Sequence, residues 1–260
     1  MSNESSSRRL RAGVVGLGWA GQEHMKGYQA LANVDLVALA GVETDKRASL
    51  GQTYGVESTH ADLSSMIAEA NLDLVSIATP TALHAPMAIE ALEAGIHVLS
   101  EKPMAETAER SQAMVDASLA NDRVLEVTFN KRQGSQIRTL QRLVDSGVLG
   151  RLYYVKAGWV RRHGIPGLGS WFTQKSWAGG GPMMDIGIHA LDMALSVMGE
   201  PEVATVSGAT YAEFGPRGRG GSGGGSNKWH DGTTTETGLY EVEDLGTAFV
   251  RMGDGSTLLL

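Results

Sequence analysis

Three glycines near the N terminus constrain the fold more than any other feature of the chain. Gly16, Gly18 and Gly21 form the pattern G-x-G-x-x-G between an apolar run, Ala12–Val15, and an amphipathic stretch, Ala20–Leu31. In such a strand–turn–helix unit, the first glycine permits the tight turn, the second lets a pyrophosphate approach the backbone, and the third lets the helix pack closely. The helix N-terminus adds N–H groups and a positive dipole end. The predicted dinucleotide-binding residues of this turn are Gly16, Gly18, Trp19, Ala20 and Gly21.

The pattern of the first part of the chain predicts a doubly wound α/β fold. Further short apolar runs follow at Leu36–Ala40, Leu74–Ala78 and Ile96–Leu99. The predicted helices between and after them are Thr44–Tyr54, Leu63–Ala70, Ala82–Ala94 and Thr107–Asn121. Strands that alternate with helices at this spacing form βαβ units and a parallel sheet. We therefore predict a dinucleotide-binding Rossmann domain over residues 1–125.

The pattern changes in residues 126–260. Helices are predicted at Ser135–Ser146 and Met184–Met198, and a long strand at Leu152–Val160. The remaining predicted strands are Val203–Tyr211, Gly246–Met252 and Thr257–Leu260. Because the last two are joined by a Gly-Asp-Gly turn and no helix separates them, they predict a hairpin. We therefore expect a second domain over residues 126–260 that is an α+β fold with a largely antiparallel sheet.

The composition argues against several classes of function. The chain has 260 residues and a formal net charge of −7, which argues against a nucleic-acid or anionic-membrane partner. It contains no cysteine, so disulfides, thiolate nucleophiles and thiolate metal sites are excluded. No apolar segment is long enough for a signal core or a membrane span. We therefore expect a cytoplasmic protein.

The choice between NAD and NADP depends on the end of the second predicted strand. An acid is expected there to bind the ribose 2′-hydroxyl, but Gly41 occupies the position. Glu43 follows two residues later and could reach that hydroxyl, whereas Lys46 and Arg47 could meet a 2′-phosphate. Both cofactors remain open, with a slight preference for NAD.

Two further motifs lie at predicted strand ends, where open α/β sheets bind ligands. Thr79 and Pro80 follow one strand, with His84 one turn later, and Glu101-Lys102-Pro103 follows the next. A lysine placed there could bind a substrate hydroxyl and stabilise developing alkoxide charge. The alternative is an exposed surface lysine in a turn. The predicted cofactor-binding residues of these two motifs are Thr79, Pro80, His84, Glu101 and Lys102.

A third stretch, residues 179–192, contains two acids and a histidine at helical spacing. Asp185, His189 and Asp192 stand at i, i+4 and i+7, so one helix face would carry all of them. Histidine is well suited to take an alcohol proton near neutral pH, and Asp185 could orient it or bind a neighbouring hydroxyl. Two alternatives remain: Asp185 favours the first helical turn through the helix dipole, or the three side chains ligate a metal.

These motifs together resemble one family of oxidoreductases. GLGWAG, ATPTALH, AGIHVLSEKP and GGGPMMDIGIHALD have the order and spacing of the Gfo/Idh/MocA family, named for glucose–fructose oxidoreductase, inositol dehydrogenase and a rhizopine-catabolism protein. Residues 129–132 also look like the family's strand motif after the nucleotide domain. The resemblance implies that Lys102 is the catalytic lysine and that Asp185 and His189 complete the site. It also implies NAD or NADP as cofactor. The second domain, residues 126–260, would bind substrate, and its open antiparallel sheet would form a dimer or tetramer.

The predicted reaction is reversible oxidation of a secondary hydroxyl on a sugar, cyclitol or glycoside. His189 would take the hydroxyl proton while hydride passes to nicotinamide, and Lys102 would polarise the oxygen. No catalytic metal is expected. The predicted substrate-binding residues are Arg132, Arg161, His163, Trp171 and Lys175. Two other functions stay open: a glycosidase or epimerase that uses transient oxidation by NAD, and a nucleotide-binding regulator without chemistry.

The end of the chain carries a further expectation. The last predicted strand stops on three leucines, as an apolar strand at the sheet edge without a partner. We therefore expect an incomplete version of a longer enzyme, which binds nucleotide, turns over poorly and self-associates. The glycine-rich stretch 215–226 is expected to be a flexible surface loop, and its Gly-Ser end also resembles an engineered linker.

Overall fold

The computed structural model describes residues 8–162, 164–166, 168–221 and 239–260. The predicted substrate contact His163 and most of the Gly-Ser end of the stretch 215–226 lie outside these residues. The chain divides into two compact units, Met1–Thr128 and Phe129–Leu260.

The first unit is a six-stranded parallel sheet with helices on its faces. Its strands are β1 (Leu10–Val15), β2 (Val34–Ala40), β3 (Ser58–His60), β4 (Leu74–Ile77), β5 (His97–Ser100) and β6 (Leu125–Val127). Its helices are α1 (Trp19–Gln29), α2 (Thr44–Tyr54), α3 (Leu63–Ala70), α4 (His84–Glu93) and α5 (Ala108–Asn121). The strand order β3-β2-β1-β4-β5-β6 reverses direction between β1 and β4, and ligands of doubly wound sheets bind at this point. The predicted Rossmann fold is confirmed.

Both faces of this sheet are buried because its strands are apolar on both sides. Val15 and Ala38 pack in a core cluster with Met66 and Leu92, beneath α3 and α4. Val14 and Leu39 face the other way and pack in a second cluster with residues of α1 and α2. Successive residues of a strand point to opposite faces, so one short apolar run supplies both cores.

The second unit is an α+β fold with a four-stranded, largely antiparallel sheet, as predicted. Its strands are β7 (Tyr154–Lys156), β8 (Val203–Tyr211), β9 (Leu245–Met252) and β10 (Thr257–Leu259). Its helices are α6 (Ser135–Asp145), α7 (Lys175–Ala178) and α8 (Ile188–Met198). The order is β7-β10-β9-β8, in which β10 runs parallel to β7 and the other pairs are antiparallel.

Two expectations about this sheet are wrong. The strand predicted at 152–160 is reduced to β7, only three residues long. The last strand, β10, is not an unpaired edge strand, because it lies between β7 and β9 and its Leu258 is fully buried. The partner β7 is distant in sequence, so the local pattern at the chain end carried no signal for the pairing.

Among the described residues, no helix combines the length and the apolar character that crossing a membrane requires. The location of the protein in the cell stays a prediction.

Asp73 joins β1 to the start of β4 in the first unit. Its N–H donates to the carbonyl oxygen of Arg11 at 2.9 Å, and its carboxylate accepts from the Arg11 N–H at 2.8 Å and pairs with Arg8. Burial acts to raise the pKa of Asp73, but the hydrogen bonds and charges of Arg11 and Arg8 outweigh it and hold the pKa below its usual value.

We predict that Asp73→Asn lowers the stability of the protein by about 1–2 kcal/mol, because hydrogen bonds to a charged group are lost. Since the folded-state pKa is lowered, this stabilisation is present above the unfolded-state pKa of about 3.9 and is lost as the pH falls through the folded-state value. Urea denaturation at neutral and acidic pH measures both effects. Asp35→Asn is the matched control, because the exposed Arg9–Asp35 pair should contribute about 0–1 kcal/mol. Equal losses in the two variants at neutral pH would contradict the prediction.

Candidate active site

The turn after β1 packs directly against the end of β4. Gly16 has a φ of +94°, and a Cβ there would lie 2.3 Å from the carbonyl oxygen of Ala78. A Cβ on Gly21 would lie 1.9 Å from the carbonyl oxygen of Gly16. Both positions therefore require glycine, and their close contacts hold the N-terminus of α1 at the point where the strand order reverses.

Gly18, the middle glycine, serves a different purpose. It is the N-cap of α1, and it has no side chain that could cap the first N–H groups of the helix. A Cβ built on it would meet no protein atom within 4 Å. Next to it, Trp19 is 75% exposed. An open helix N-terminus next to a residue without a side chain fits the pyrophosphate of a dinucleotide. Gly16, Gly18, Trp19, Ala20 and Gly21 could therefore hold it.

A close contact with Leu17 explains why the loop after β2 contains a glycine, Gly41, rather than an acid. A Cβ on Gly41 would lie 2.7 Å from Cγ of Leu17, so an acid at this position would collide with the glycine-rich turn. Glu43 is exposed at the N-cap of α2, and it makes no side-chain cap hydrogen bond. The guanidinium of Arg47 donates to the carbonyl oxygen of Gly41 and, at 3.2 Å, to the hydroxyl of Thr44.

His84 connects the loops that follow β4 and β5. The side chain is buried, with Nδ1 at 2.8 Å from the carbonyl oxygen of Pro103 and Nε2 at 2.9 Å from that of Thr79. Burial lowers the pKa of His84, although its two hydrogen bonds oppose the shift. Direct contact between His84 and a cofactor stays a prediction. Its described contacts indicate that it holds together the loops that carry Thr79, Pro80 and Lys102.

Glu101 and Lys102 follow β5, next to β4 in the sheet. The Glu101 carboxylate accepts from His24 Nε2 at 3.2 Å and from the N–H of Lys102 at 3.1 Å. Burial acts to raise the pKa of Glu101, but the hydrogen bond from His24 and the contacts with Lys102 keep the pKa below its usual value. Glu101 is thus a carboxylate at neutral pH. His24 was missed by sequence reasoning, although its spacing after Gly21 places it on the inner face of α1.

In the second unit, the helix that carries Asp185 and His189 begins differently from the prediction. Met183–Gly187 form a π-helical turn, and only from Ile188 does the chain become α-helical. A π turn contains more residues than an α turn, so Asp185 is displaced around the axis relative to His189. Asp185 therefore lies in the π turn and His189 in the first turn of α8, and a face shared by Asp185, His189 and Asp192 stays a prediction. Such π turns are frequent at functional sites.

The carboxylate of Asp192 forms an ion pair with Arg132. The guanidinium Nε lies 3.0 Å from both carboxylate oxygens, Nη2 also contacts one of them, and Nη1 donates to Glu200 at 3.1 Å. The hydrogen bond that Arg132 donates to Asp192 is the largest cause that raises the pKa of Arg132. Arg132 was predicted to bind substrate, but these contacts tie the turn at 130–133 to α8. Across the described parts of the chain, no group of three or more His, Cys, Asp and Glu side chains could hold a metal ion.

His189 is buried beside two aromatic rings. Phe129 meets it edge-on with a centroid distance of 6.5 Å, and Trp159 is tilted against it at 6.3 Å. Above the Trp159 ring lie the Arg161 guanidinium, 5.0 Å from its centroid, and the Lys131 ammonium, 5.8 Å from it. Sequence reasoning found Arg161 but missed Trp159, which it placed on a long sheet strand.

The other two predicted substrate-binding residues within the described part of the chain are Trp171 and Lys175, and no described contact joins them to His189. Trp171 stacks on Phe172 with a centroid distance of 3.8 Å, which favours a packing role. Lys175 begins α7 and lines a cavity of about 440 Å³ with residues of the segment 240–243. Among the described residues that line this cavity, Asp185 and His189 are absent.

Comparison with known proteins assigns the fold and these motifs to one family. Residues 10–129 match the GFO/IDH/MocA model described as an oxidoreductase family with an NAD-binding Rossmann fold. Residues 137–260 match the GFO/IDH/MocA C-terminal domain. The chain belongs to the GFO/IDH/MocA oxidoreductase family.

Two similar proteins and one similar solved structure have the names of dehydrogenases. D-glucoside 3-dehydrogenase of Escherichia coli (strain K12) is 34% identical over 261 residues, which cover 100% of this chain and 72% of that protein. Levoglucosan dehydrogenase of Pseudarthrobacter phenanthrenivorans is 30% identical over 260 residues, which cover 96% and 66%. A solved levoglucosan dehydrogenase in complex with NADH and levoglucosan has a TM-score of 0.79 at 28% identity, and the match covers 97% of this chain and 66% of that one.

The chain thus spans between 66% and 72% of the length of these relatives. Its family membership confirms the predicted class, a nicotinamide-dependent dehydrogenase whose first unit is an NAD-binding Rossmann fold.

We predict that Gly18→Val abolishes binding of NAD, because the new side chain would fill the open space at the N-terminus of α1. Gly27→Val is the matched control, since a Cβ on this second glycine of α1 also meets no atom within 4 Å. Both variants add the same side chain at an open position of this segment, Gly18 at the N-cap and Gly27 within the helix, so a general effect of the larger side chain would appear in both. Calorimetric titration with NAD should give a measurable affinity for Gly27→Val and none for Gly18→Val. Equal affinities would refute the assignment of residues 16–21 as the pyrophosphate-binding turn, the cofactor cradle.

Proposed function

We propose that this chain reversibly oxidises a secondary hydroxyl on a sugar, cyclitol or glycoside, with transfer of hydride to NAD. One observation carries the proposal: the open α1 N-terminus and the Lys102 turn lie at the same edge of one sheet, on the near-adjacent strands β1 and β5. Only β4 separates these strands, and its carboxyl end carries Thr79 and Pro80. The dehydrogenases of glucoside and levoglucosan among the relatives support this class of substrate.

Lys102 binds and polarises the hydroxyl oxygen of the substrate in this proposal. A fixed positive charge stabilises the alkoxide character that develops as hydride leaves the carbon. Bound NAD supplies the nicotinamide ring that accepts the hydride. The neighbouring Glu101 carboxylate keeps its own hydrogen bonds with His24 and with the Lys102 N–H, so it holds the turn rather than taking the proton.

His189 takes the hydroxyl proton as general base, and Asp185 orients the substrate or the imidazole. The imidazole lies in the first turn of α8 and is only 7% exposed. Phe129 and Trp159 flank it and limit the access of water. Arg161, which lies over Trp159, is the predicted substrate-binding residue that the described contacts bring nearest to this aromatic pair.

NAD is the preferred nucleotide in this proposal. Glu43 presents an exposed carboxylate at the start of α2, which would accept from ribose hydroxyls and repel a 2′-phosphate. Arg47, the natural partner of a 2′-phosphate, is turned towards Gly41 and Thr44 instead. The NADH in the solved levoglucosan dehydrogenase is consistent with this preference.

We predict NADH formation with at least one compound from a panel of sugars, cyclitols and glycosides, and a higher kcat/KM with NAD than with NADP. Absorbance of the reduced nicotinamide measures both. Lys102→Ala and His189→Ala should each lower kcat by about 10²-fold or more, the loss typical of a positioned proton-transfer group. His189→Ala should still bind NAD, and Lys26→Ala, an exposed lysine on α1, should behave as the parent chain.

Four outcomes would contradict this proposal. Near-normal turnover in both variants would remove Lys102 and His189 from the mechanism. Turnover of a glycoside or epimer without net NADH would indicate transient oxidation, and nucleotide binding without any reaction would indicate a regulator. Loss of activity in excess chelator would favour a metal role for Asp185 and His189.

We further propose that the sheet of the second unit forms an interface between copies of this chain. Strand pairing places Phe249 opposite Ser207, on the face turned away from the buried Val250. The large exposed side chains that share this outer face are Tyr154, Tyr211, Leu245 and Phe249. An exposed apolar sheet face of this kind favours association.

We predict that Phe249→Glu lowers the mass measured by light scattering from that of a dimer or tetramer to that of a monomer, because it places a charge in an apolar interface. Val206→Glu is the matched control, since Val206 pairs with Val250 on the opposite face and is 64% exposed. A parent chain that is monomeric, or an equal effect of the two variants, would reject the interface.

A further inference from the structure

A buried chain of polar side chains crosses the first unit from α1 to the Lys102 turn. The Tyr28 hydroxyl lies 2.6 Å from the Ser76 hydroxyl, which lies 2.9 Å from His24 Nδ1. The other ring nitrogen, Nε2, lies 3.2 Å from the Glu101 carboxylate. Ser76 is fully buried, Tyr28 is 6% exposed, and the side chain of His24 is 7% exposed. The proposed reaction uses neither Tyr28, Ser76 nor His24.

With a neutral His24, the donors and acceptors of this chain fit a single arrangement of hydrogens. An ionised Glu101 only accepts, so His24 Nε2–H must donate to it. In the neutral imidazole, Nδ1 then accepts from the Ser76 hydroxyl, and the Ser76 oxygen accepts from Tyr28 O–H. One tautomer of His24 thus satisfies every contact, and it aims its N–H at the residue that precedes Lys102.

The turn that carries Lys102 is held on both sides by a buried imidazole. Glu101, on one side, accepts from His24, and its own N–H donates to the Ile77 carbonyl oxygen at 2.8 Å. Pro103, on the other side, contacts His84 through its carbonyl oxygen at 2.8 Å. The first imidazole belongs to α1, the helix whose N-terminus forms the cofactor cradle.

We propose that His24 is a positioning residue: through Glu101 it fixes the orientation of Lys102 relative to the cofactor cradle. This inference rests on the role of Lys102 in the proposed function. Because His24 lies on α1 one turn after Gly21, one rigid helix both receives the pyrophosphate and orients the lysine. Loss of the His24 hydrogen bond loosens the Lys102 turn but leaves the glycine-rich turn at residues 16–21, which receives the pyrophosphate, unchanged.

The test compares three variants, each in the full chain, by NADH binding and by turnover. His24→Ala should lower kcat by about 10- to 100-fold, the range expected when a catalytic group is displaced by about 1 Å, while the Kd for NADH stays near that of the parent. His24→Gln keeps an N–H that can reach Glu101, so it should recover part of the lost kcat. Tyr28→Phe removes the hydroxyl at the far end of the chain and should lower stability but not kcat per bound NADH.

A second measurement reports on Lys102 without any turnover. Acylation of lysines by an N-hydroxysuccinimide ester, followed by peptide mass spectrometry, gives the reactivity of Lys102 with the exposed Lys26 as internal standard. His24→Ala should accelerate acylation of Lys102, whereas His24→Gln and Tyr28→Phe should leave it close to the parent rate.

If the parent oxidises no panel compound but this pattern appears, the proposed reaction fails and the positioning role stands. If kcat per bound NADH and acylation are both unchanged in His24→Ala, or if Tyr28→Phe changes them equally, the positioning role is overturned.

Discussion

The backbone contact between the turn after β1 and the end of β4 is the constraint on which the first unit depends. Gly16 lies against the Ala78 carbonyl, and Gly21 lies against the Gly16 carbonyl, so each position excludes even a methyl group. This contact fixes how far α1 stands above the sheet. Hydrogen bonds weaken steeply with misalignment, so the 2.9 Å contact between His24 on α1 and Ser76 on β4 depends on this distance. The cradle and the support of the Lys102 turn therefore share one structural cause.

The helices of the first unit were predictable because their signals are local. α2 and α3 begin and end at the predicted residues, and Asp62 caps α3 by accepting from the Ser65 N–H. The strands β3 and β6 were not predicted, since each has three residues and so short a segment shows no periodicity. Their place at the two edges of the sheet follows from pairing with β2 and β5, which local sequence does not encode.

The candidate site was predictable where a motif carries its own chemistry, and less so where distant residues meet. The glycine turn and the Lys102 turn lie at the carboxyl ends of their strands, as the strand–helix pattern required. The pairing of Arg132 with Asp192 joins segments 60 residues apart, and no spacing rule connects them. The π turn at Met183–Gly187 also escaped prediction, because sequence spacing was converted to a face with the period of an α-helix. Non-local pairing and local backbone irregularity thus account for the errors.

The imidazoles of His24 and His84, beside the Lys102 turn, differ in whether one neutral tautomer can satisfy both hydrogen-bond partners of the ring. His24 faces a carboxylate and a hydroxyl, so one neutral tautomer donates to the first and accepts from the second. His84 faces two carbonyl oxygens, and burial lowers its pKa, so its neutral ring can donate to only one of them. One of its contacts therefore brings a nitrogen lone pair against a carbonyl oxygen, which weakens that side. The contacts of His24 are therefore all matched, whereas one of the two His84 contacts, to Pro103 or to Thr79, is the weaker one. This asymmetry suits a lysine that must keep its orientation from α1 while the neighbouring loop at Thr79 and Pro80 adjusts to a nucleotide.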